Sequence, residues 1–217
     1  MAESRHATFT VSELMKGYVT LGDTDILSGY KTGLFAGTYI ETQLTLNCDD
    51  MDRFVHDPAH AAVPSGSVIS PALGGTLPIS GGEFQLFVNT ENDFVRRMNY
   101  RLFFTGTQGP MTLSGFKCLT DNPTAGIWFD CTWLWTKIFQ GHVTAAEEEN
   151  LKPIAAGVIN LYILDFIKWN IFSFKTGGRG VFTPLIGFIQ FFVFFLGTMI
   201  RFQFAKWLGR WVPGGPN

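Results

Sequence analysis

The chain has 217 residues, 46% of them hydrophobic and 15% aromatic, with 24 Gly, 22 Phe and only 16% charged. So low a charged fraction excludes extensive disorder, and the length suits one domain of moderate size plus an appendage. All 18 carboxylates precede residue 180, where 13 basic residues leave −5, and the last 37 residues carry only Arg201, Lys206 and Arg210. A weakly acidic body ahead of a basic, apolar end lacks the basic clusters of a nucleic-acid binder and reads as a membrane protein with its anchor last.

Met1 to Thr20 carries Glu3, Arg5, Glu13 and Lys16 and no apolar core, so no signal peptide is expected. Cys48, Cys118 and Cys131 are odd in number, show no CxxC spacing, and are joined by no N-x-[ST] sequon with a non-proline middle residue. Both features point to a reducing, cytosolic-type setting. Short alternating runs then dominate to about residue 140. Thr38 to Cys48 sets Ile40, Leu44, Leu46 and Cys48 on one face and Glu41, Gln43 and Thr45 on the other. Asp49 to His56 reads as one or two helical turns, with Asp49 or Asp50 as N-cap and Pro58 beyond. Val63 to Ser70 and Leu77 to Ser80 read as short strands, cut by Pro71, Gly74-Gly75 and Gly81-Gly82. Glu83 to Asn89 alternates again. Arg97 to Thr105 and Met111 to Thr120, joined by residues 106–110, form a hairpin signal. Strands around Ile127 to Ile138 and Ala155 to Tyr162 complete the set. The expected fold is mainly β: a lipocalin-like antiparallel barrel or sandwich of about eight strands over residues 1–160, closed to hide strand edges.

Phe9 to Gly22 (FTVSELMKGYVTLG), Gly82 to Val88 (GEFQLFV), Arg96 to Phe104 (RRMNYRLFF) and Leu113 to Lys117 (LSGFK) carry a resemblance. Together, over roughly residues 8–175, they resemble the region that follows the flavin domain in cholesterol-oxidase-like glucose–methanol–choline oxidoreductases. The resemblance implies a shared β-rich accessory module. It does not imply the flavin chemistry, because the GxGxxG fingerprint that seats FAD pyrophosphate does not occur in this chain.

Few residues suggest chemistry. His56 and His60 in HDPAH are four apart, but Pro58 spoils the helical spacing that would aim both at one metal. Asp49, Asp50 and Asp52 lack the glycine and terminal Glu of a calcium loop. Glu147 to Glu149 reads as a solvated acidic face, and Arg97 and Arg101 share one strand face opposite Arg96. No G-x-S-x-G, HExxH or Walker sequence is found, so no catalytic, metal or cofactor residue is expected. Trp128, Trp133 and Trp135 are candidate anchors, lining a barrel cavity for an apolar ligand or facing a partner, with plain packing the simpler account.

Leu161 to Phe174 fits an amphipathic helix on a membrane or against the body, and Gly177, Gly178 and Gly180 a flexible joint, over residues 161–180. Val181 to Ile200 is uncharged, with Pro184 in its first turn and Gln190 its only strongly polar side chain. At about 1.5 Å per residue it reaches roughly 30 Å, so a transmembrane helix is expected over 181–207, before a short tail at 208–217. Arg201, Lys206, Trp207, Arg210 and Trp211 mark an interface. Phe188, Phe191, Phe192 and Phe195 line one side of the helix, suited to other helices, lipid tails or pigment rings. The reading is a single-pass, non-enzymatic accessory subunit with a cytoplasmic body. It would stabilise a larger membrane complex, energy-transducing or photosynthetic assemblies being candidate hosts. The alternatives are a tethered lipid- or sterol-binding barrel and a regulatory subunit of a flavin oxidoreductase.

Overall fold

Strand alternation sets the architecture. The computed structural model describes residues 6–91, 95–120, 132–162, 174–178 and 182–209, the side chains of 120 and 199–209 excepted. These form β1 (Thr8–Leu21), β2 (Tyr39–Cys48), β3 (Ala61–Ser70), β4 (Gly75–Asn89), β5 (Val95–Gly106), β6 (Gly109–Thr120), β7 (Trp133–Gln140), β8 (Ala155–Asn160) and β9 (Lys175–Gly177). Neighbours pair antiparallel in chain order from β2 to β8. β1 closes the ring, pairing with β2 from Phe9 to Tyr18 and with β8 from Lys16 to Leu21. The body is an eight-strand antiparallel closed barrel. β9 joins below β8, on the same edge of β1, at Thr8 to Thr10.

Four α-helices and a 3-10 turn at Pro71–Leu73 complete the described chain: α1 (Ile26–Ala36), α2 (Met51–His56), α3 (Ala145–Glu148) and α4 (Thr183–Gly209). The α2 expectation holds, with Asp50 as N-cap accepting from the Arg53 backbone N–H at 3.0 Å. α1 has no counterpart among the predicted elements, because Gly29 and Gly33 lower helix propensity where Asp25 nonetheless caps the Ser28 N–H at 2.7 Å and Gly37 closes the helix in the left-handed conformation. Leu77 to Ser80 and Glu83 to Asn89 are parts of one strand, β4. Gly81-Gly82 does not end it: the strand bulges at Ser80, between Ile79 and Gly81, and runs on through Gly81 and Gly82, paired with Phe103 and Leu102, Gly82 sitting at φ 135°. Of the strand expected at 127–138, residues 127–131 lie outside the described residues, as do 163–173 of the expected amphipathic helix. Gly177, expected in a joint, ends β9.

The inward register carries the core: Met15, Ile40, Leu44, Leu102, Phe104, Leu113, Leu134, Ile138 and Ile159 are all buried. β1 and β8 cross closely at Gly17 and Gly157, where a Cβ would lie 2.0 Å from the Val158 carbonyl oxygen and 2.1 Å from that of Tyr18, respectively. Among these apolar side chains stands a polar cluster. Tyr100 Oη donates to Glu13 Oε2 at 2.9 Å, and Lys117 Nζ donates to the same oxygen at 3.4 Å while lying 4.8 Å from the centre of the Tyr100 ring. The Lys117 side chain is 1% exposed and that of Glu13 11%. Such a pair survives in a core because each charge satisfies the other; removing one leaves a buried charge alone. Glu13→Leu is therefore expected to cost about 3–5 kcal/mol in urea unfolding, and the triple change Glu13→Leu, Tyr100→Phe, Lys117→Met to recover at least half of it.

Candidate functional site

The N-terminal half of α4 is seated on one end of the barrel, and this junction gathers more of the predicted residues than any other described part of the chain. The seat is built from three elements. Ala7 and Phe9 lead into and begin β1, and Ala7 accepts the Met51 N–H at 2.8 Å, which fixes α2 beside it. Phe54 comes from α2, His60 from the turn after it, and Phe87 from the second β4 bulge. His60 and Phe87 are the non-glycine residues at positive φ, 42° and 54°, among the described residues, and both touch α4. The Phe54 carbonyl can only accept, so His60 Nδ1, 2.6 Å away, carries the proton and points the ring at the helix.

Helix α4 meets this seat through Gly187, Gln190, Phe191, Phe194 and Phe195. A Cβ on Gly187 would lie 2.8 Å from Ala7 Cβ, so the glycine lets the helix approach the chain closely. Ring centres lie 5.0 Å apart for Phe191 and Phe9, 4.6 Å for Phe194 and His60, 5.9 Å for Phe194 and Phe54, and 5.3 Å for Phe195 and Phe87. Gln190 Nε2 donates to Asp52 Oδ1 at 2.9 Å, which gives the polar side chain of the apolar run a partner on the body. Phe188 and Phe192 pack beside the seat, tilted against each other and edge-to-face with Phe174. The predicted stripe is thus divided: Phe191 and Phe195 face the body, and Phe188 and Phe192 form its flank. Phe194 is absent from that stripe because helical projection alone does not show where the barrel end lies.

The opposite face of α4 is aliphatic and exposed: Leu185, Ile186, Ile189, Leu196 and, at 67% exposure, Val193. Among the described residues no helix is long and apolar enough to cross a membrane. The side chains of Arg201 and Trp207, and all of Trp211, lie outside the described residues, as does Trp128.

Trp133 and Trp135 stand on the outer wall of the barrel, since Leu134 between them points inward. Their rings lie 6.0 Å apart, and Trp133 lies 6.1 Å from Tyr30 of α1. Nearby, burial and then the Glu41 carboxylate, which accepts the Tyr39 hydroxyl proton, hold Tyr39 well above the ordinary phenol range. A groove of about 210 Å³ crosses the wall over Ser12, Leu14, Gln43, Thr45 and Ser67.

The charged candidates serve the scaffold. Asp49 pairs with Arg53 at 3.1 Å, and His6 Nδ1 stands 3.7 Å from Asp52 and 4.0 Å from Asp50, His6 and Asp52 exposed and Asp50 half-buried, with their ligand atoms within 4.8 Å of one another. The acidic run is more than a solvated face. Glu148 accepts from Arg101 and Ser114, each at 2.7 Å, and Glu147 closes a capping box with Thr144 whose hydrogen bonds hold its carboxyl below the usual range. Arg97 lies over the Phe116 ring at 4.6 Å. His56 Nδ1 bonds the Asp52 carbonyl, so the two histidines of HDPAH serve different carbonyls.

No protein-family model, curated protein or solved structure matches this chain.

Two outcomes follow from the seat. Burial pushes the Cys48 thiol, paired in register with Phe9, up from 9.0 to about 11. The folded state thus favours the neutral thiol; its contribution is complete below pH 9 and is lost as pH rises toward 11. With Cys118 and Cys131 replaced by Ser, labelling of Cys48 at pH 8 by a disulfide reagent is expected to run about 100-fold slower folded than in denaturant. Phe194→Ala should leave the barrel intact by circular dichroism yet open α4 to limited proteolysis, cleaving at least threefold faster than wild type.

Proposed function

We propose that this chain is a non-enzymatic accessory protein held at a bilayer by α4, with its barrel bracing a larger membrane assembly. The observation that carries this reading is the lack of a polar face on the described part of α4. Aromatic rings fill one side against the body, Gln190 is bonded to Asp52, and Leu185, Ile189, Val193 and Leu196 stand in solvent opposite. A helix apolar all round needs cover on every side, and the body covers only one. The uncharged run Val181 to Ile200 is as long as a hydrocarbon core is thick, and Arg201, Lys206 and Trp207 follow it. In its docked state the helix lies along the bilayer surface with the aliphatic face in the acyl boundary. A single pass through the bilayer requires Phe191, Phe194 and Phe195 to leave their seat.

The interior of the barrel supports an accessory role over a lipid or sterol carrier. Its axis is occupied by Met15, Leu44, Leu102 and Phe104 and by the Glu13–Tyr100–Lys117 cluster, all of which an apolar ligand would have to displace. The bracing role agrees with the use of Arg101, Ser114, Glu147 and Glu148 in holding the barrel and its α3 loop together.

The full chain is expected to stay with membranes through an alkaline carbonate wash and to float with vesicles. Ile189→Asp with Val193→Asp should move more than half of it to the soluble fraction with the barrel still folded. Release of the intact wild-type polypeptide by carbonate would overturn the anchor. Migration solely as a free monomer after mild-detergent extraction would overturn the accessory role.

A further inference from the structure

Helix α1 is docked inside out. Its barrel-facing side is Gly29 and Gly33, where a Cβ would lie 2.2 Å from the Ala156 carbonyl oxygen and 2.9 Å from that of Val19. Thr20 Oγ1 donates to the Gly29 carbonyl at 2.7 Å, clamping the helix to the wall. With the backbones this close, no room remains beneath α1 for large side chains. At about 100° per residue Leu27, Lys31, Leu34 and Phe35 fall on the opposite side. All four are exposed, Phe35 by 91%. An ordinary surface helix buries such residues and shows its small or polar ones. The spacing i, i+7 and i+8 of Leu27, Leu34 and Phe35, with Lys31 among them, is that of a helix offered as a ridge to an apolar groove.

Charge and position select the occupant. The nearby carboxylates are already used, Asp25 capping α1 and Asp23 accepting the Ser28 hydroxyl at 2.7 Å. Among the described residues Lys31 has no ion-pair partner. A second copy fits poorly: a two-fold contact between antiparallel α1 helices would cross near Lys31, the middle residue of Ile26–Ala36, and oppose two ammonium groups. A bilayer fits poorly as well, an exclusion that rests on the membrane reading of α4. Gly29 meets Ala156, which pairs with Thr20, whereas α4 meets Ala7 and Phe9. At about 3.3 Å per residue and a strand tilt of about 40°, the two levels stand roughly 30 Å apart along the barrel axis. What remains is a different protein. We propose that the outer face of α1 is the docking ridge for a second, non-identical protein that presents an apolar groove with an Asp or Glu placed to meet Lys31.

The test places the photo-crosslinking residue p-benzoylphenylalanine at position 35 of the full chain in its native membranes. The expected product is one heterologous adduct whose cross-linked peptide lies beside an Asp or Glu. Lys31→Glu should lower its yield at least fivefold, and changing the mapped carboxylate to Lys should restore it. Carbonate extraction run in parallel reports on α4 separately, so failure of either reading is recognised by itself. An adduct at twice the chain's mass, an adduct to lipid alone, a yield unmoved by Lys31→Glu, or no adduct would each overturn the proposal.

Discussion

Hydrogen bonding of β1 along both of its edges is the constraint from which the rest of this molecule follows. One edge takes β2 over ten register pairs, and the other takes β8 at one end and β9 at the other. Without that double pairing the meander from β2 to β8 would be an open sheet with two exposed edges. Because β1 is shared, its residues address three places at once. Glu13 enters the interior to meet Tyr100 and Lys117, Thr20 holds α1, and Phe9 forms part of the seat for α4. The approach of β1 to β8 depends in turn on Gly17 and Gly157, since a side chain at either would strike backbone.

The helices at the two ends of β1 are unusual in opposite ways. α4 keeps aromatic residues toward the body and shows aliphatic ones, whereas α1 keeps glycine toward the body and shows Leu27, Leu34 and Phe35. Each leaves an apolar surface that the chain does not cover by itself. The polar side chains of the body are, by contrast, mostly paired with one another or with backbone, as in the Arg101–Glu148–Ser114 group. Thr38, Thr42, Ser70 and Asn160 are exceptions, each with a buried side-chain oxygen that has no hydrogen-bond partner among the described residues. The accessory, surface-presenting role that we propose rests on the uncovered apolar faces.

How much of this was legible in the sequence varies with the kind of signal. β2 was legible because its alternation is strict, α2 because Asp50 and Pro58 bracket it, and the β5–β6 hairpin because its two runs flank a short glycine-containing turn. β4 was legible only in pieces. Gly81-Gly82 reads as a terminator, and only pairing with β5 shows the strand running on through both glycines past a bulge at Ser80. α1 was hidden by the same glycines that let it dock. For the site, Phe191 and Phe195 were visible as members of an aromatic stripe, but Phe194, His60 and Phe87 were not. Their meeting depends on a bulge and a left-handed turn with no periodic signature. Nothing local marks Lys117 as a core residue, since Glu13, which stands opposite it, is 104 residues away.

By itself the sequence determined that the body is an antiparallel β structure of about eight strands and that an uncharged, phenylalanine-rich segment lies near the carboxyl end. Both are one-dimensional properties: strand periodicity, turn chemistry and the length of an apolar run act between near neighbours. Only the tertiary structure decided that the ring closes through β1, that Trp133 and Trp135 face outward, and that part of the phenylalanine-rich helix is seated on its own barrel. Those outcomes depend on which strand edges meet and which backbones come close enough to exclude a side chain, and such contacts join residues remote along the chain.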